Sequence, residues 1–334
     1  MNILITGGAG YIGSATSYLL IKKKIKPVII DKLIYKKQNI IPKKCYFYKL
    51  NISNLTKIKR IINNYKIDSV IHFAALKDVE ESILKPKKYY KNNYLLAKKF
   101  INCCKENGVK NFIFSSTAAV YGNLKNNKKV TENSPLKPIS VYGITKKKIE
   151  EYLKNISNKN FKYFSLRYFN VLGADKNLNY GPIGLKINSF SNNLFKSIIL
   201  KKKFKIFGNN HKTPDGTPVR DFIHVDDLAD IHFKALLYLK KNRKNQICNC
   251  GYGNAYSIQD VVKVISKNIK LNFKYSYSAK RKGDISFMVA DSTKLKKLLN
   301  WRPKNSRLEK MIFSEFKWKK KLIKLEKYQL LDFF

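Results

Sequence analysis

The first half of the chain alternates short apolar runs with longer stretches whose apolar residues recur at helical spacing. A short run of β-branched residues is typical of a buried strand, and a period of about 3.6 residues is typical of an amphipathic helix. Strands are predicted over 2–6, 27–31, 45–50, 69–74, 111–116 and 163–168. Helices are predicted over 11–24, 54–65, 86–107 and 140–158. This alternation predicts an α/β fold, a doubly wound parallel sheet with helices on both faces.

The regular alternation ends near Asn170, where the turn-rich segment "GADKNLNYGPIG" begins. We therefore expect two domains, 1–172 forming the sheet and 173–334 forming mainly a smaller α/β domain. The segment 222–250 combines a strand end, a helix and the strand-like "NQICNCG", so the chain is expected to return to the sheet there.

The net charge of +46 raises the possibility of nucleic-acid binding. The excess is almost entirely lysine, spread over the whole chain and accompanied by Asn, Ile, Tyr and Phe, whose codons are rich in A and T. Base composition is therefore a sufficient cause, and no specific nucleic-acid partner is expected. Three of the seven arginines, Arg167, Arg220 and Arg281, lie in the motifs described below. Lysine replaces arginine poorly where a planar group with several donors is required.

The five cysteines lack the paired spacing of a metal site, so no metal is expected and free thiols in a reducing compartment are predicted. No apolar run approaches the ~18 residues that a membrane span needs, and no signal peptide precedes the first strand. The sequence predicts a cytoplasmic protein without a membrane partner.

The segment "TGGAGYIG" joins the first predicted strand to the first predicted helix and contains Gly7, Gly10 and Gly13. Glycine permits the tight turn and the close approach of a pyrophosphate to the positive N-terminus of the helix. Asp31 ends the second strand, 18 residues after Gly13 (31 − 13), near the ~20 expected for a carboxylate that binds the adenosine ribose. Because a carboxylate repels a 2′-phosphate, NAD is predicted rather than NADP.

The segment "YGITK" places Tyr142 and Lys146 four residues apart, on one face of a predicted helix. The fifth strand ends in Ser115, Ser116 and Thr117, at the sheet edge where ligands of such folds bind. A nearby ammonium and a cationic nicotinamide are expected to lower the pKa of the phenol from ~10. Tyr142 is therefore a candidate general base, with Thr117 orienting the hydroxyl that loses its proton.

Several longer motifs extend this pattern through nearly the whole chain: "TGGAGYIGS", "IDSVIHFAALKDVEES", "YYKNN", "NFIFSSTAAVYG", "SVYGITK", "LRYFNVLGA", "IFGNNHKTPDGTPVRDFIHVDDLAD" and "KRKGD". With them the chain resembles the extended short-chain dehydrogenase/reductase family, and within it the epimerases of UDP-hexoses. The resemblance implies an NAD-binding Rossmann fold, tightly bound NAD that is not consumed, and interconversion of UDP-glucose and UDP-galactose through a transient 4-keto sugar.

The resemblance also implies roles for single residues. Tyr142 would be the base, Lys146 would tune it and bind the nicotinamide ribose, and Thr117 would orient the 4-hydroxyl. The family usually has Asp where this chain has Asn51, whose amide oxygen can still accept from an adenine amino group. Further cofactor contacts are expected from Tyr11, Ile12, Asn51, Ile52, Phe73, Ala74, Lys77, Asn92, Ser115 and Phe169.

On the substrate side, the resemblance implies a UDP-sugar held by Asn170, Asn188, Phe207, Arg220, Arg281 and Asp284. The residue four places after Asp284 is Met288, which is expected to border the hexose pocket. A side chain of this size should admit UDP-N-acetylated sugars only weakly; the alternative is that Met288 packs in the core beneath the pocket. A homodimer is expected from the same resemblance.

Two other functions fit parts of the pattern. Nucleotide-sugar 4,6-dehydratases share the cofactor and the Tyr-Lys pair, but they carry an Asp-Glu pair just after the threonine. Ala118 and Ala119 occupy those positions and cannot titrate, which argues against dehydration. A basic nucleic-acid-binding protein that kept the fold is the second alternative, but no aromatic–basic pattern that would follow a groove is present.

Overall fold

The computed structural model describes residues 1–34, 40–124, 127–183, 189–268, 273–280 and 284–331. In this part of the chain, strands alternate with helices up to residue 172, as predicted. The strands are β1 (Ile3–Thr6), β2 (Val28–Asp31), β3 (Tyr46–Lys49), β4 (Ser69–His72), β5 (Asn111–Thr117), β6 (Lys162–Tyr168), β7 (Asn170–Leu172), β8 (Phe204–Phe207), β9 (Val219–Arg220), β10 (Phe222–His224), β11 (Gln246–Cys250), β12 (Tyr256–Ser257), β13 (Tyr275–Ser278) and β14 (Phe287–Met288).

The helices are α1 (Tyr11–Lys22), α2 (Leu55–Asn64), α3 (Val79–Leu84), α4 (Pro86–Tyr89), α5 (Ala97–Glu106), α6 (Val141–Ile156), α7 (Phe190–Ile199), α8 (Val225–Asn242), α9 (Ile258–Asn268), α10 (Thr293–Leu299) and α11 (Leu308–Leu331). The helix predicted over 86–107 contains a π-helical segment, Tyr90–Leu96, between α4 and α5. The sequence did not predict α3, a short helix that Asp78 caps by accepting from the Glu81 backbone N–H at 2.9 Å.

The main sheet of the described chain has seven parallel strands in the order β11-β6-β5-β4-β1-β2-β3. The order reverses between β1 and β4, which is where ligands bind in open α/β sheets. Strand β11 adds to the edge next to β6, which brings the chain back to the sheet after an excursion of about 75 residues between Leu172 and Gln246. The doubly wound prediction is confirmed.

Alternating side chains of the central strands form two cores. Leu4, Val70 and Phe112 pack with α2, α5 and α6 on one face of the sheet. Their neighbours Ile5 and Ile71, together with Ile113, pack with α1 and α8 on the other face. Because successive strand residues point to opposite faces, a strand that is apolar at consecutive positions needs both faces covered.

The second half of the described chain contains three small sheets: β7 beside β10, β9 between β12 and β14, and β8 beside β13. Strand β7 follows β6 of the main sheet, and β10, which pairs with β7, leads into α8, so this small sheet connects the two halves. No helix in the described part of the chain is long and apolar enough to cross a lipid bilayer.

Candidate active site

The glycine turn after β1 folds tightly against the end of β4. Gly7 has a φ of +71°, and a Cβ there would lie 2.8 Å from the Ala74 backbone nitrogen. A Cβ on Gly13 would lie 2.2 Å from the Gly7 carbonyl oxygen, so the first turn of α1 can pass this closely only over glycine. The N-terminus of α1 therefore faces the sheet edge with its backbone N–H groups available to an anion.

Asp31 stands beside this turn at the end of β2. Its Oδ2 accepts from the Ala9 backbone N–H at 3.1 Å, and its Oδ1 accepts from the Leu33 backbone N–H at 2.8 Å. These bonds fix the carboxylate at the mouth of the turn, and each oxygen keeps a lone pair for a ribose hydroxyl.

A cleft of about 1130 Å³ opens along the reversal point of the sheet. Fifteen of the predicted cofactor residues line it: Gly7, Gly10, Tyr11, Ile12, Gly13, Asp31, Asn51, Ile52, Phe73, Ala74, Lys77, Asn92, Ser115, Tyr142 and Lys146. The sequence did not single out seven further lining residues: Ile30, Lys32, Ile34, Leu50, Ala75, Tyr168 and Ile183. Six of these lie within a few residues of a predicted strand end, so their neighbours in sequence were a usable signal. Ile183 comes from the second half, which carried no such signal.

Tyr142 lies in the first turn of α6, which begins after the cap Ser140. The Ser140 hydroxyl accepts from the Gly143 backbone N–H at 3.1 Å. A Cβ on Gly143 would lie 2.6 Å from the Ala119 carbonyl oxygen, so this glycine lets α6 approach the segment after β5. That approach brings the Tyr142 phenol into a hydrogen bond with the Thr117 side chain.

Lys146, one turn further along α6, is buried, and its Nζ donates to the Ser115 carbonyl at 2.6 Å. Its ammonium lies 5.9 Å from the centre of the Tyr142 ring. Burial lowers the pKa of Lys146 to about 7, opposed by the negative charge of Glu150.

The protein's own groups do not lower the pKa of Tyr142 below its ordinary value. Burial raises it above its ordinary value, and the hydrogen bond with Thr117 lowers it by a smaller amount. The sequence predicted a lowered pKa because it weighed the lysine charge and a bound nicotinamide, but not the removal of the phenol from water. The protein groups alone keep this phenol protonated.

A second cleft, of about 680 Å³, lies beyond β7. Four predicted substrate residues line it: Asn170, Phe207, Arg220 and Asp284. The Arg220 Nη2 donates to the Asp284 Oδ1 at 3.2 Å, and Nη1 donates to the Val219 carbonyl at 2.9 Å. The sequence did not single out Ser189, Phe190, Asn193 and Lys205, which also line this cleft.

Phe169 and Met288 are buried together in a cluster with Ala118, and neither lines the two clefts described above. Met288 is thus buried at the end of β14, and its influence on the hexose pocket stays a prediction. Asn188 and Arg281 lie outside the described residues. In the described part of the chain, no group of His, Cys, Asp and Glu side chains could hold a metal ion.

Residues 3–251 match the model of the NAD dependent epimerase/dehydratase family. A UDP-glucose 4-epimerase of Lactobacillus helveticus is 36% identical over 322 residues, which cover 96% of this chain and 97% of that protein.

Solved structures agree with this relationship. A UDP-glucose 4-epimerase from Stenotrophomonas maltophila, with bound NAD and formylated UDP-arabinopyranose, aligns with a TM-score of 0.92 at 28% identity, covering 97% of this chain and 99% of that one. The UDP-Glc/GlcNAc 4-epimerase of Campylobacter jejuni aligns with a TM-score of 0.81 at 37% identity, covering 96% and 99%. The glycine turn, the Asp31 carboxylate and a cleft lined by residues from Asp31 to Lys146 fit NAD as the cofactor. The chain therefore belongs to the NAD-dependent epimerase/dehydratase family.

Proposed function

We propose that the protein interconverts UDP-glucose and UDP-galactose by inverting C4 of the hexose. The observation that carries this proposal is the placement of Tyr142 in the cofactor cleft, hydrogen-bonded to Thr117 and one helical turn from Lys146. Tyr168 lines the first cleft, and Asn170, two residues later in the chain, lines the second. A sugar whose nucleotide is anchored in the second cleft can therefore reach the first.

The residues of the first cleft would hold NAD. The N–H groups at the start of α1 would bind the pyrophosphate, Asp31 the adenosine ribose, and Lys146 the nicotinamide ribose. Bound NAD would supply the hydride acceptor and donor for C4 of the sugar and a positive charge that would favour the phenolate.

The protein's own groups would move the proton. Thr117 orients the 4-hydroxyl, and Tyr142 takes its proton as C4 becomes a ketone. The same phenol returns the proton after the ketone has presented its opposite face. Burial helps this chemistry because it strengthens the interaction of the phenolate with the Lys146 ammonium. The same burial raises the pKa of Tyr142 when no positive charge balances the phenolate.

The second cleft would anchor the UDP group, so that the hexose can turn while the nucleotide stays bound. Phe207 offers a ring surface to uracil. Arg220 can exchange its single bond to Asp284 for bonds to the diphosphate, because charge-assisted bonds to phosphate oxygens are stronger. Asn188 and Arg281 are proposed as further contacts on the family resemblance. Met288 is proposed to limit the size of the hexose pocket from beneath.

Dehydration, the other activity in the family's name, is disfavoured by Ala118 and Ala119. Both lie directly after Thr117, and neither has a group that can remove a proton from C5 or protonate a leaving hydroxyl at C6.

We also propose that the chain divides into a cofactor domain, 1–172 with the returning segment 222–250, and a substrate domain over most of 173–334. A homodimer is proposed because large exposed apolar side chains concentrate on α3, on the π-helical segment and around the start of α6: Val79, Ile83, Leu84, Tyr90, Leu95, Ile139 and Ile144. A cytoplasmic location is proposed because all five cysteines are free thiols.

The direct test is incubation of the pure protein with UDP-galactose without added NAD. We expect UDP-glucose as the product and the release of NAD when the protein is denatured. A need for added NAD in proportion to product, or formation of a 4-keto-6-deoxy sugar, would contradict the proposal.

A further inference from the structure

A buried ion pair lies directly behind the Tyr142–Lys146 face of α6. The Arg167 Nη2 donates to the Glu150 Oε2 at 2.6 Å, and Nε donates to both carboxylate oxygens at 3.0 and 3.2 Å. Both side chains are only 3% exposed. A buried pair of this kind is not explained by stability alone, because desolvating two charges offsets most of their attraction.

The position of Glu150 on α6 relates it to the candidate catalytic residues. Tyr142, Lys146 and Glu150 follow each other at intervals of four residues and so share one face of the helix. Their partners are three consecutive residues at the end of β5. Thr117 bonds to Tyr142, the Ser115 carbonyl accepts from Lys146 at 2.6 Å, and the Ser116 hydroxyl donates to the Glu150 Oε1 at 2.5 Å.

Arg167 secures this arrangement from the next strand. It lies on β6, directly beside Ser116 in the strand register. Its Nη1 donates to the Tyr121 hydroxyl at 2.8 Å, and that hydroxyl donates to the Asn249 Oδ1 at 2.6 Å. Glu150 is thus fixed from β5 and from β6, and through Tyr121 from β11.

We propose that Glu150, held by Arg167, is a positioning residue for the Tyr142–Lys146 pair: it holds the catalytic face of α6 against the end of β5 and presents a carboxylate to the Lys146 ammonium. This inference rests on the proposed function for its consequence in catalysis, while its electrostatic part concerns Lys146 alone.

The charged and titratable groups around Lys146 determine in which direction its pKa should change when one of them is removed. Burial lowers the pKa of Lys146, Glu150 opposes that effect, and the resulting pKa is about 7. From β4, His72 faces the lysine, but burial lowers its pKa to about 3, so it is neutral near pH 7. On the same helix, Tyr142 is a neutral phenol, and β5 contributes the Phe114 ring, 4.8 Å from Nζ, and the Ser115 carbonyl. From β6, Arg167 is the remaining charge, neutralised by Glu150.

The pKa of Lys146 should therefore change in one direction when Glu150 is replaced and in the other when Arg167 is replaced. Glu150→Gln leaves Arg167 as a buried positive charge and should lower the pKa of Lys146 by about one unit or more. Arg167→Met leaves the Glu150 carboxylate unpaired and should raise it. A merely structural role would give shifts of the same sign, or none.

The pKa of Lys146 can be measured without substrate, by competitive acetylation over a pH series followed by mass spectrometry of the peptide that contains it. Glu151→Gln is the matched control, because Glu151 is the next residue, is 57% exposed and pairs only with Lys147 at 3.8 Å among the ion pairs of the described chain. We expect the wild type and Glu151→Gln to agree, Glu150→Gln to titrate lower, and Arg167→Met to titrate higher.

The double variant Glu150→Gln/Arg167→Met serves if Arg167→Met fails to fold, since it removes both charges. Its Lys146 should titrate above that of Glu150→Gln. Equal pKa values in wild type, Glu150→Gln and the double variant would overturn the proposal.

Activity is a separate readout. If the wild type converts UDP-galactose, Glu150→Gln should lower kcat more than it changes KM, and the alkaline limb of its pH profile should shift to lower pH with the measured pKa of Lys146. An unchanged profile would overturn the catalytic part of the proposal. A wild type without epimerase activity would instead contradict the proposed function and leave the titration result standing.

Discussion

Two arginine–carboxylate pairs flank the candidate active site, and their surroundings differ. Arg167 and Glu150 are each 3% exposed and share three hydrogen bonds. Arg220 and Asp284 are 16% and 21% exposed and share one bond of 3.2 Å. The same two functional groups thus form a closed pair that fixes a helix and an open pair at the wall of a cleft. Burial and the number of bonds, rather than residue type, decide which arginine can exchange its partner for a ligand.

The largest expected difference between the pairs concerns stability. Arg167→Met should lower the free energy of unfolding by about 3–5 kcal/mol, because it leaves a buried carboxylate without its partner. Arg220→Met should lower it by less, about 1 kcal/mol, since this pair is more exposed and shares a single hydrogen bond. Urea denaturation of both variants measures this. Equal losses would mean that the two pairs have the same structural role.

For ligand binding we expect the opposite order, with a larger loss in Arg220→Met than in Arg167→Met. Arg220→Met should weaken UDP binding by about 10–150-fold, the value of one charge-assisted interaction of 1.5–3 kcal/mol. Arg220→Lys should recover part of the loss, because lysine keeps the charge but not the planar donor arrangement. Isothermal titration with UDP, on variants whose melting temperature is unchanged, provides the measurement. Undiminished affinity in Arg220→Met would show that the diphosphate binds elsewhere.

The third expected effect concerns substrate specificity at Met288, whose strand β14 pairs with Arg220 on β9. Met288→Ser should raise turnover of UDP-N-acetylglucosamine relative to UDP-glucose, and Met288→Tyr should abolish it. A pocket that admits the acetamido group and one that excludes it should differ by about 10–200-fold in relative specificity. Relative kcat/KM values for the two sugars test this. The same ratio in all three proteins would establish that Met288 is a core residue without influence on the pocket.

The two clefts also differ in how well the sequence predicted them. The first is built from strand ends and the turns after them, so the pattern of strands and helices brings Gly7, Asp31, Phe73 and Ser115 to one sheet edge before any contact is known. The second is assembled from short strands and a helix N-terminus that have no common period. Ser189 and Lys205 were therefore missed, and Arg220 and Asp284 were found only through a family motif.

Environment was harder to predict than position. The sequence placed Tyr142 and Lys146 on one helix face, but it gave no measure of their burial, which raises the pKa of the phenol and lowers that of the lysine. The role of Arg167 was likewise hidden, because its partner Glu150 follows "YGITK" as an ordinary helix residue. Side-chain packing between segments that are distant in sequence determines both the burial of Tyr142 and Lys146 and the pairing of Arg167 with Glu150.

The central claim is that Tyr142 is the base, and Tyr142→Phe tests it most directly. The variant keeps the ring, so the fold and bound NAD should be retained, and turnover of UDP-galactose should fall by at least the ~10²–10⁴-fold typical of a general base. Tyr152→Phe on the same helix, which removes a hydroxyl that bonds to Asn102, is the matched control and should keep full activity. Retention of more than about a tenth of the wild-type rate in a folded, NAD-loaded Tyr142→Phe protein would contradict the account, since another group would then have to take the proton.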